Sequence, residues 1–258
     1  MSGIPDIDPF PRVGVVLLRP KSPGNVGSVA RAMKNMGFSR LIVANPIAYD
    51  EPGYFDVEAR RMAWQAEDLL ESRLEAPDLA AALAPFTWVA GTTSNPPDGA
   101  RVLAPRELAA ELAGHLTENP TGSAVLLFGQ EDIGLTRQDL SHCHRVGAIP
   151  SADVYPSLNL SQAALLFLYE TRLALGLPRA AAAPQDDADG APEHGQLEAF
   201  YRRLEDTLDA IGFFQGTARA HMMRELRRLF NRTLLTRREL SILEGIVHQV
   251  MWAGRRRG

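Results

Sequence analysis

Short, uninterrupted apolar runs constrain this chain more than any other feature. Residues Val13–Leu18 read Val-Gly-Val-Val-Leu-Leu, and residues 41–44, 86–90 and 124–128 are of the same kind, with a fifth run at 144–149. Strands buried on both faces carry continuous apolar sequence instead of alternation, the mark of a parallel sheet covered on both sides. Between the runs the period changes to helical. Val26, Val29, Ala30, Met33 and Met36 share one face of a predicted helix over 25–36 that Gly37 closes. Further helices are expected in the second half of 49–74 (through Met62, Leu69 and Leu70), over 106–116 and over 160–175. This order predicts right-handed βαβ units and an open α/β sheet. The helix at 160–175 is nearly all apolar, as expected of one buried in a core or against a partner subunit.

After residue 177 the character changes. Residues 178–195 are rich in Ala, Pro, Asp and Gly and read as a flexible linker. Three amphipathic patterns follow over 196–258, the last opening with a Thr236 to Glu239 capping box. The expected organisation is a sheet domain over 1–177, the linker, and a small helical extension over 196–258.

With 258 residues, 45% apolar and 22% charged, the chain has the composition of a soluble globular protein. The lone Cys143 excludes an intrachain disulfide framework and fits a reducing cytoplasm. No apolar run is long enough for a membrane span, and the first residues lack the pattern of a signal peptide. The net charge of -4 argues against a general nucleic-acid coat. Its distribution is uneven. From Glu193 onward twelve Arg outnumber eight Asp and Glu, leaving the rest of the chain near -8. A basic tail on an acidic body suits local contact with a polyanion, and equally an Arg-rich helix surface.

Ligands of open parallel sheets bind at the carboxyl ends of the strands. Three such ends carry small or polar residues: Gly91 to Ser94, Gly129 to Glu131, and Ile149 to Asn159. Each alone suits an ordinary loop, with Asn159 an ordinary helix cap; together they suggest one pocket. Neither a GxGxxG nor a P-loop pattern is present. Gly24 to Gly27, at a helix start, suits an anion weakly. His142, Cys143 and His144 do not make a zinc site: i and i+2 diverge on a helix, and no second His/Cys pair is present. Cys143 lacks a partner for nucleophilic work and reads as a buried small hydrophobe. Arg31, between Ala30 and Ala32, suits either a solvated face or recognition of a phosphate or a carboxylate such as Glu131.

Three segments carry a resemblance: Pro23 to Gly37 (PGNVGSVARAMKNMG), Leu127 to Leu135 (LFGQEDIGL), and Ile149 to Ser161 with Ser157-Leu-Asn-Leu-Ser161 at its end. In order and spacing they are similar to the three motifs of the SpoU–TrmH (SPOUT) class of RNA 2'-O-methyltransferases, over about residues 13–175. The tail, with Leu226-Arg-Arg-Leu-Phe230 and Glu239-Leu-Ser-Ile-Leu243, resembles the TrmJ branch of that class.

The resemblance implies a trefoil-knotted α/β sheet, S-adenosylmethionine held inside the knot, an obligate homodimer, and a tRNA substrate modified at position 32 of the anticodon loop. Carried over residue by residue, cofactor contacts fall on Thr92, Thr93, Ser94, Gly129, Ile149, Pro156, Ser157 and Leu158. The catalytic set falls on Asn25, Arg31, Glu131, Ser157 and Asn159. The leaving thioether is neutral, so no metal is expected. A guanidinium effectively never deprotonates, so Arg31 is better read as orienting an RNA phosphate and stabilising negative charge than as the base, with Asn25 and Glu131 holding it. Two departures bear on the RNA and not on the chemistry: Asn95 to Arg101 replaces the basic run common after the third strand, and Gln130 stands at a position that takes a basic or other polar residue. The rival readings are the same chemistry on rRNA or another tRNA position, a non-catalytic RNA-binding dimer, and a small-molecule α/β enzyme. The five residues of the catalytic set argue against lost catalysis.

Overall fold

The computed structural model describes residues 8–46, 54–97, 99–152, 154, 157–176, 190–214 and 219–255. After a 3-10 turn (Phe10–Arg12) the chain runs β1 (Val13–Leu18), α1 (Pro23–Met36), β2 (Arg40–Ala44), α2 (Tyr54–Ala63), α3 (Glu67–Glu71), β3 (Leu74–Ala76) and α4 (Leu79–Leu83). It continues through β4 (Trp88–Thr92), β5 (Val102–Leu103), α5 (Pro105–Glu118), β6 (Ala124–Phe128), α6 (Arg137–Leu140), β7 (Arg145–Gly147) and α7 (Leu160–Gly176). Three helices close the chain: α8 (His194–Ala210), α9 (Arg219–Thr233) and α10 (Arg237–Arg255).

Among the described residues the seven strands form one parallel sheet in the order β3-β2-β1-β6-β4-β7-β5. The central strands β1, β6 and β4 are buried along their whole length, as their unbroken apolar sequence requires. Alternation of side chains divides β1 between two cores. Val13, Val15 and Leu17 pack with α1 and α7, while Val16 and Leu18 pack on the opposite face with Phe86, Leu135 and Cys143. The edge strands β3 and β5, three and two residues long, were not expected from the sequence, because neither carries an apolar run. No helix was expected at α4 or α6, and where one helix was expected in the second half of 49–74 the chain forms α2 and α3, followed by β3.

Helix α1 starts at an N-cap, Ser22 Oγ accepting from Asn25 N at 3.3 Å, and ends at Gly37 with φ 81°. Gly27 serves packing. A Cβ there would lie 2.0 Å from the Ala59 carbonyl oxygen, so α1 and α2 cross backbone to backbone. Helix α7 buries Leu160, Ala164, Phe167, Leu168 and Thr171, but Leu165, Leu166, Tyr169 and Leu173 face outward. The expectation that this helix is buried all round is therefore not met within one chain.

The C-terminal helices have their own small core of Leu197, Phe200, Tyr201, Leu240 and Val247. Of the expected linker 178–195, residues up to 189 lie outside the described residues, and residues 190–195 are held in place. Ala191 N donates to Asn119 Oδ1 at 2.8 Å, His194 N to the Phe86 carbonyl at 2.6 Å, and Gly195 N to the Ala84 carbonyl at 3.1 Å. Among the described residues no helix is long and apolar enough to cross a membrane.

Candidate active site

Strands β6, β4 and β7 are neighbours, so their carboxyl ends open into one place. The loops that leave them enclose a cavity of about 470 Å³. Its lining includes Thr92 at the end of β4 with Thr93 and Ser94 beyond it, Gly129 and Glu131 after β6, and Ile149, Ser157 and Leu158 after β7. Eight residues named from the sequence thus converge; Pro156 lies outside the described residues. Phe128, Leu135, Leu140, Leu160 and Phe167 give the cavity apolar walls beneath a polar rim. Size and lining are those of a small-molecule pocket.

The loops are fixed from below. Thr92 Oγ1 donates to the Leu127 carbonyl at 3.1 Å, and Thr93 N to the Gly147 carbonyl at 3.0 Å, joining the β4 loop to β6 and β7. After β6 the chain makes a tight turn, with Gly134 N donating to the Gln130 carbonyl at 2.7 Å and Gly134 at φ 65°. There Gly129 is needed for close approach: a Cβ would lie 2.2 Å from the Gly134 carbonyl carbon. Thr136 and Asp139 form a capping box at the start of α6. Asp139 also takes Arg19 Nη2 at 2.6 Å. Burial alone would raise the Asp139 carboxyl, but the bonds from Arg19 and Thr136 hold it below its ordinary value.

Glu131 joins two of the motifs. Its Oε2 accepts from Lys21 N at 2.8 Å, and its Oε1 from Ser22 N and Asn25 Nδ2, each at 3.0 Å. The anion at the α1 start is therefore a side chain of the protein itself, where free N–H groups and the helix dipole favour negative charge. From Asn25 the chain of bonds continues. Asn159 Nδ2 donates to Asn25 Oδ1 at 3.0 Å, while Asn159 Oδ1 accepts from Ser161 N at 2.9 Å and caps α7. Asn159 is thus both the helix cap and a link in the relay.

Arg31 is placed differently. It is exposed on α1, it is not among the cavity-lining residues, and Glu131 spends its oxygens on Lys21, Ser22 and Asn25 instead. The structure brings Asn25, Glu131, Ser157 and Asn159 to the cavity or its rim and leaves Arg31 outside that network. Sequence reasoning missed Arg137, which also lines the cavity. The Thr136-x-x-Asp139 capping pattern, which sets a helix start beside a strand-end loop, would have pointed to it. Cys143 is buried, and burial pushes its thiol up, against any role as a thiolate nucleophile. His142 and His144 lie in the turn entering β7, not on a helix as the argument against zinc assumed.

Comparison with known proteins places this geometry. Residues 12–169 match the SpoU rRNA Methylase family, and residues 195–258 match the family described as tRNA methyltransferase TrmJ, C-terminal domain. The chain is 36% identical over 243 residues to the tRNA (cytidine/uridine-2'-O-)-methyltransferase TrmJ of Pectobacterium atrosepticum, covering 92% of this chain and 96% of that one. It is 34% identical over 255 residues to the tRNA (cytidine/uridine/adenosine-2'-O-)-methyltransferase TrmJ of Pseudomonas aeruginosa, covering 95% of each. Among solved structures, TrmJ from Z. mobilis ZM4 superposes with a TM-score of 0.77 at 28% identity, over 92% of this chain and 98% of that one. A probable methyltransferase from Bordetella pertussis Tohama I is 37% identical with a TM-score of 0.59, over 64% of this chain and 97% of its own. The cavity at the ends of β4, β6 and β7 is therefore that of a methylase, and the chain belongs to the SpoU rRNA Methylase family, with a TrmJ C-terminal domain behind the sheet.

Proposed function

We propose that this chain uses S-adenosylmethionine to methylate the ribose 2'-hydroxyl of tRNA, at a cytidine or uridine in position 32 of the anticodon loop. The observation that carries the reading is the Glu131–Asn25–Asn159 relay at the rim of the strand-end cavity, which joins all three motifs of the family. Relatives that match over more than nine-tenths of both chains are named for this reaction on tRNA.

The cavity fits the cofactor: apolar walls suit a purine and a thioether, and Thr92 to Ser94, Gly129, Ile149, Ser157 and Leu158 offer main-chain and hydroxyl groups at its rim. Bound there, S-adenosylmethionine supplies a methyl group on a sulfonium, whose departure as a neutral thioether requires no metal. The protein's own contribution is placement. Glu131 and Asn159 fix the Asn25 amide from two sides. Ser157 lines the cavity, and its hydroxyl is assigned to the incoming ribose. Arg31 carries an exposed guanidinium with no ion pair among the described residues, and orients an RNA phosphate while stabilising developing negative charge.

The reading includes a homodimer, a trefoil-knotted sheet and a cytoplasmic location. Leu165, Leu166, Tyr169 and Leu173, 39–46% exposed along α7, form an apolar face suited to a second subunit. Strand β6 inserts between β1 and β4, and β7 between β4 and β5, so late strands enter a sheet whose flanks come earlier in the chain. The C-terminal domain offers Arg232, Arg237 and Arg238, exposed and without ion pairs among the described residues, as the tRNA footprint. The reading keeps a catalytic sheet domain over 1–177, a linker and an RNA-binding helical extension, with α8 starting at His194, inside the expected linker. The test is nucleoside mass spectrometry of undermodified bulk tRNA after incubation with purified protein and S-adenosylmethionine. New 2'-O-methylcytidine or 2'-O-methyluridine mapping to position 32 is expected; cofactor binding with no new mark in tRNA would refute the substrate.

A further inference from the structure

The junction between the sheet domain and the C-terminal helices gathers three side chains of metal-ligating type. His142 lies in the turn before β7, and His194 and Glu198 lie one turn apart at the start of α8. One donor atom from each falls within 4.8 Å of the other two. His142 Nδ1 is 3.1 Å from Glu198 Oε1, and His194 Nε2 is 3.4 Å from the same oxygen. Donors of a tetrahedral site with metal–ligand bonds of about 2.0–2.1 Å stand roughly 3.3 Å apart, so this spacing is already close to that of a coordination shell.

A second observation comes from His194. It is 2% exposed, and among the described residues neither ring nitrogen makes a hydrogen bond. Its Nε2 approaches the carboxylate closely but without hydrogen-bond alignment. Buried polar groups are ordinarily satisfied, and leaving one unsatisfied is costly. A buried imidazole nitrogen directed at a carboxylate and a second imidazole has its lone pair free for a cation.

We propose that His142, His194 and Glu198 form a structural site for a zinc-class divalent cation, which pins the C-terminal helices to the strand leading into the third cavity loop. Two imidazoles and one carboxylate suit Zn²⁺ and its transition-metal neighbours over Mg²⁺ or Ca²⁺. His142, with 13% of its side chain exposed, gives the ion its way in. Arg227 supplies the outer partner. Its Nη2 bonds Glu198 Oε2 at 2.8 Å and its guanidinium stacks over Tyr201 at 4.4 Å, while its Nη1 shares Oε1 and yields that oxygen to the ion. His144 packs against His194 but stays outside the set, because its Nδ1 accepts from Val89 N at 3.0 Å. None of the three ligands lines the cavity, so the ion holds structure and takes no part in methyl transfer. No local pattern marks the site, because His142 finds its partners far along the chain, where α8 returns.

The test measures metal directly on the purified full-length protein. After dialysis, mass spectrometry of the metal content is expected to find about one zinc per chain. Stripped protein titrated with CoCl₂ is expected to develop the intense visible bands of tetrahedral Co²⁺. His142→Ala, a change at a partly exposed position, should weaken zinc binding on the order of 100-fold or more, since outer partners alone carry about 10–100-fold. His142→Cys, which replaces one ligand by another, should restore binding with a thiolate charge-transfer band. Absence of retained zinc together with only weak octahedral Co²⁺ absorption overturns the site, as does parental affinity in His142→Ala. In either case Glu198 is held by Arg227 and His142 without an ion.

Discussion

Replacing Glu131 separates charge from shape at the point where the motifs meet. In Glu131→Gln, the amide oxygen placed at Oε1 keeps the bonds from Ser22 N and Asn25 Nδ2, but the NH₂ then faces the Lys21 N–H that Oε2 accepted at 2.8 Å. One charge-assisted bond is lost; such bonds are worth about 1.5–3 kcal/mol. Lys21 is exposed and water takes over part of the bond, so the net cost is about 1 kcal/mol, a fall in Tm of roughly 2–4 °C for a chain of this size. Glu131→Ala removes all three bonds and frees the Asn25 amide to turn away from Asn159. If about 3 kcal/mol of that placement is expressed in the transition state, single-turnover methylation falls on the order of 100-fold, against roughly fivefold for Gln. The assay is single-turnover methyl transfer to tRNA at saturating cofactor, with cofactor affinity and Tm measured on the same samples. An Ala variant that turns over at the parental rate, or a Gln variant as impaired as Ala, would refute the reasoning.

Four further outcomes are expected. Arg31→Ala should abolish methylation while cofactor affinity stays within about threefold, since Arg31 lies outside the cavity lining; retained turnover in the same assay sinks its role. Gly27→Ala should cost about 3 kcal/mol or more, because its Cβ meets the Ala59 carbonyl at 2.0 Å and backbone must move; a urea midpoint equal to the parent's contradicts the crossing. His115, whose Nε2 lies 2.8 Å from Thr87 Oγ1, is pushed down to about 4, first by burial and then by Arg12 and Arg145. The unfolded chain therefore takes up the proton first, and the contribution of His115, full above pH 6.5, is lost as pH falls toward 4. That loss approaches 3 kcal/mol at about 1.4 kcal/mol per unit, and urea melts at pH 7 and 4.5 should show it shrinking in His115→Gln. The double variant Arg232→Gln, Arg238→Gln should weaken tRNA binding at every sequence and lower the salt slope by about 1–2, read from binding curves at several salt concentrations; an unchanged slope removes these residues from the footprint.

Where the sequence was legible, one local rule acted alone. The central strands β1, β4 and β6 announce themselves because strands buried on both faces have no solvent side to encode. Helix α1 is closed by its own cap, Gly37, while its N-cap, Ser22, lies before the predicted start at 25. Strands β3 and β5 left no trace, since two or three edge residues need no apolar run. The site divides the same way. Glu131 and Asn159 belong to recognisable motifs, but that Glu131 takes the main-chain N–H groups of Lys21 and Ser22 instead of Arg31 depends on how the β6 loop meets the start of α1.

The sequence by itself determined the parallel sheet, the helical tail and the identity of the motif residues, because periodicity, capping and residue type act within a few positions of each other. Only the tertiary structure decided which of those residues touch. The order β6-β4-β7 brings three distant loops around one cavity, α8 returns His194 and Glu198 to His142, and Asn159 at the start of α7 reaches Asn25 on the neighbouring α1. These contacts join residues far apart in the chain, and sheet order, which no local pattern encodes, is what sets them.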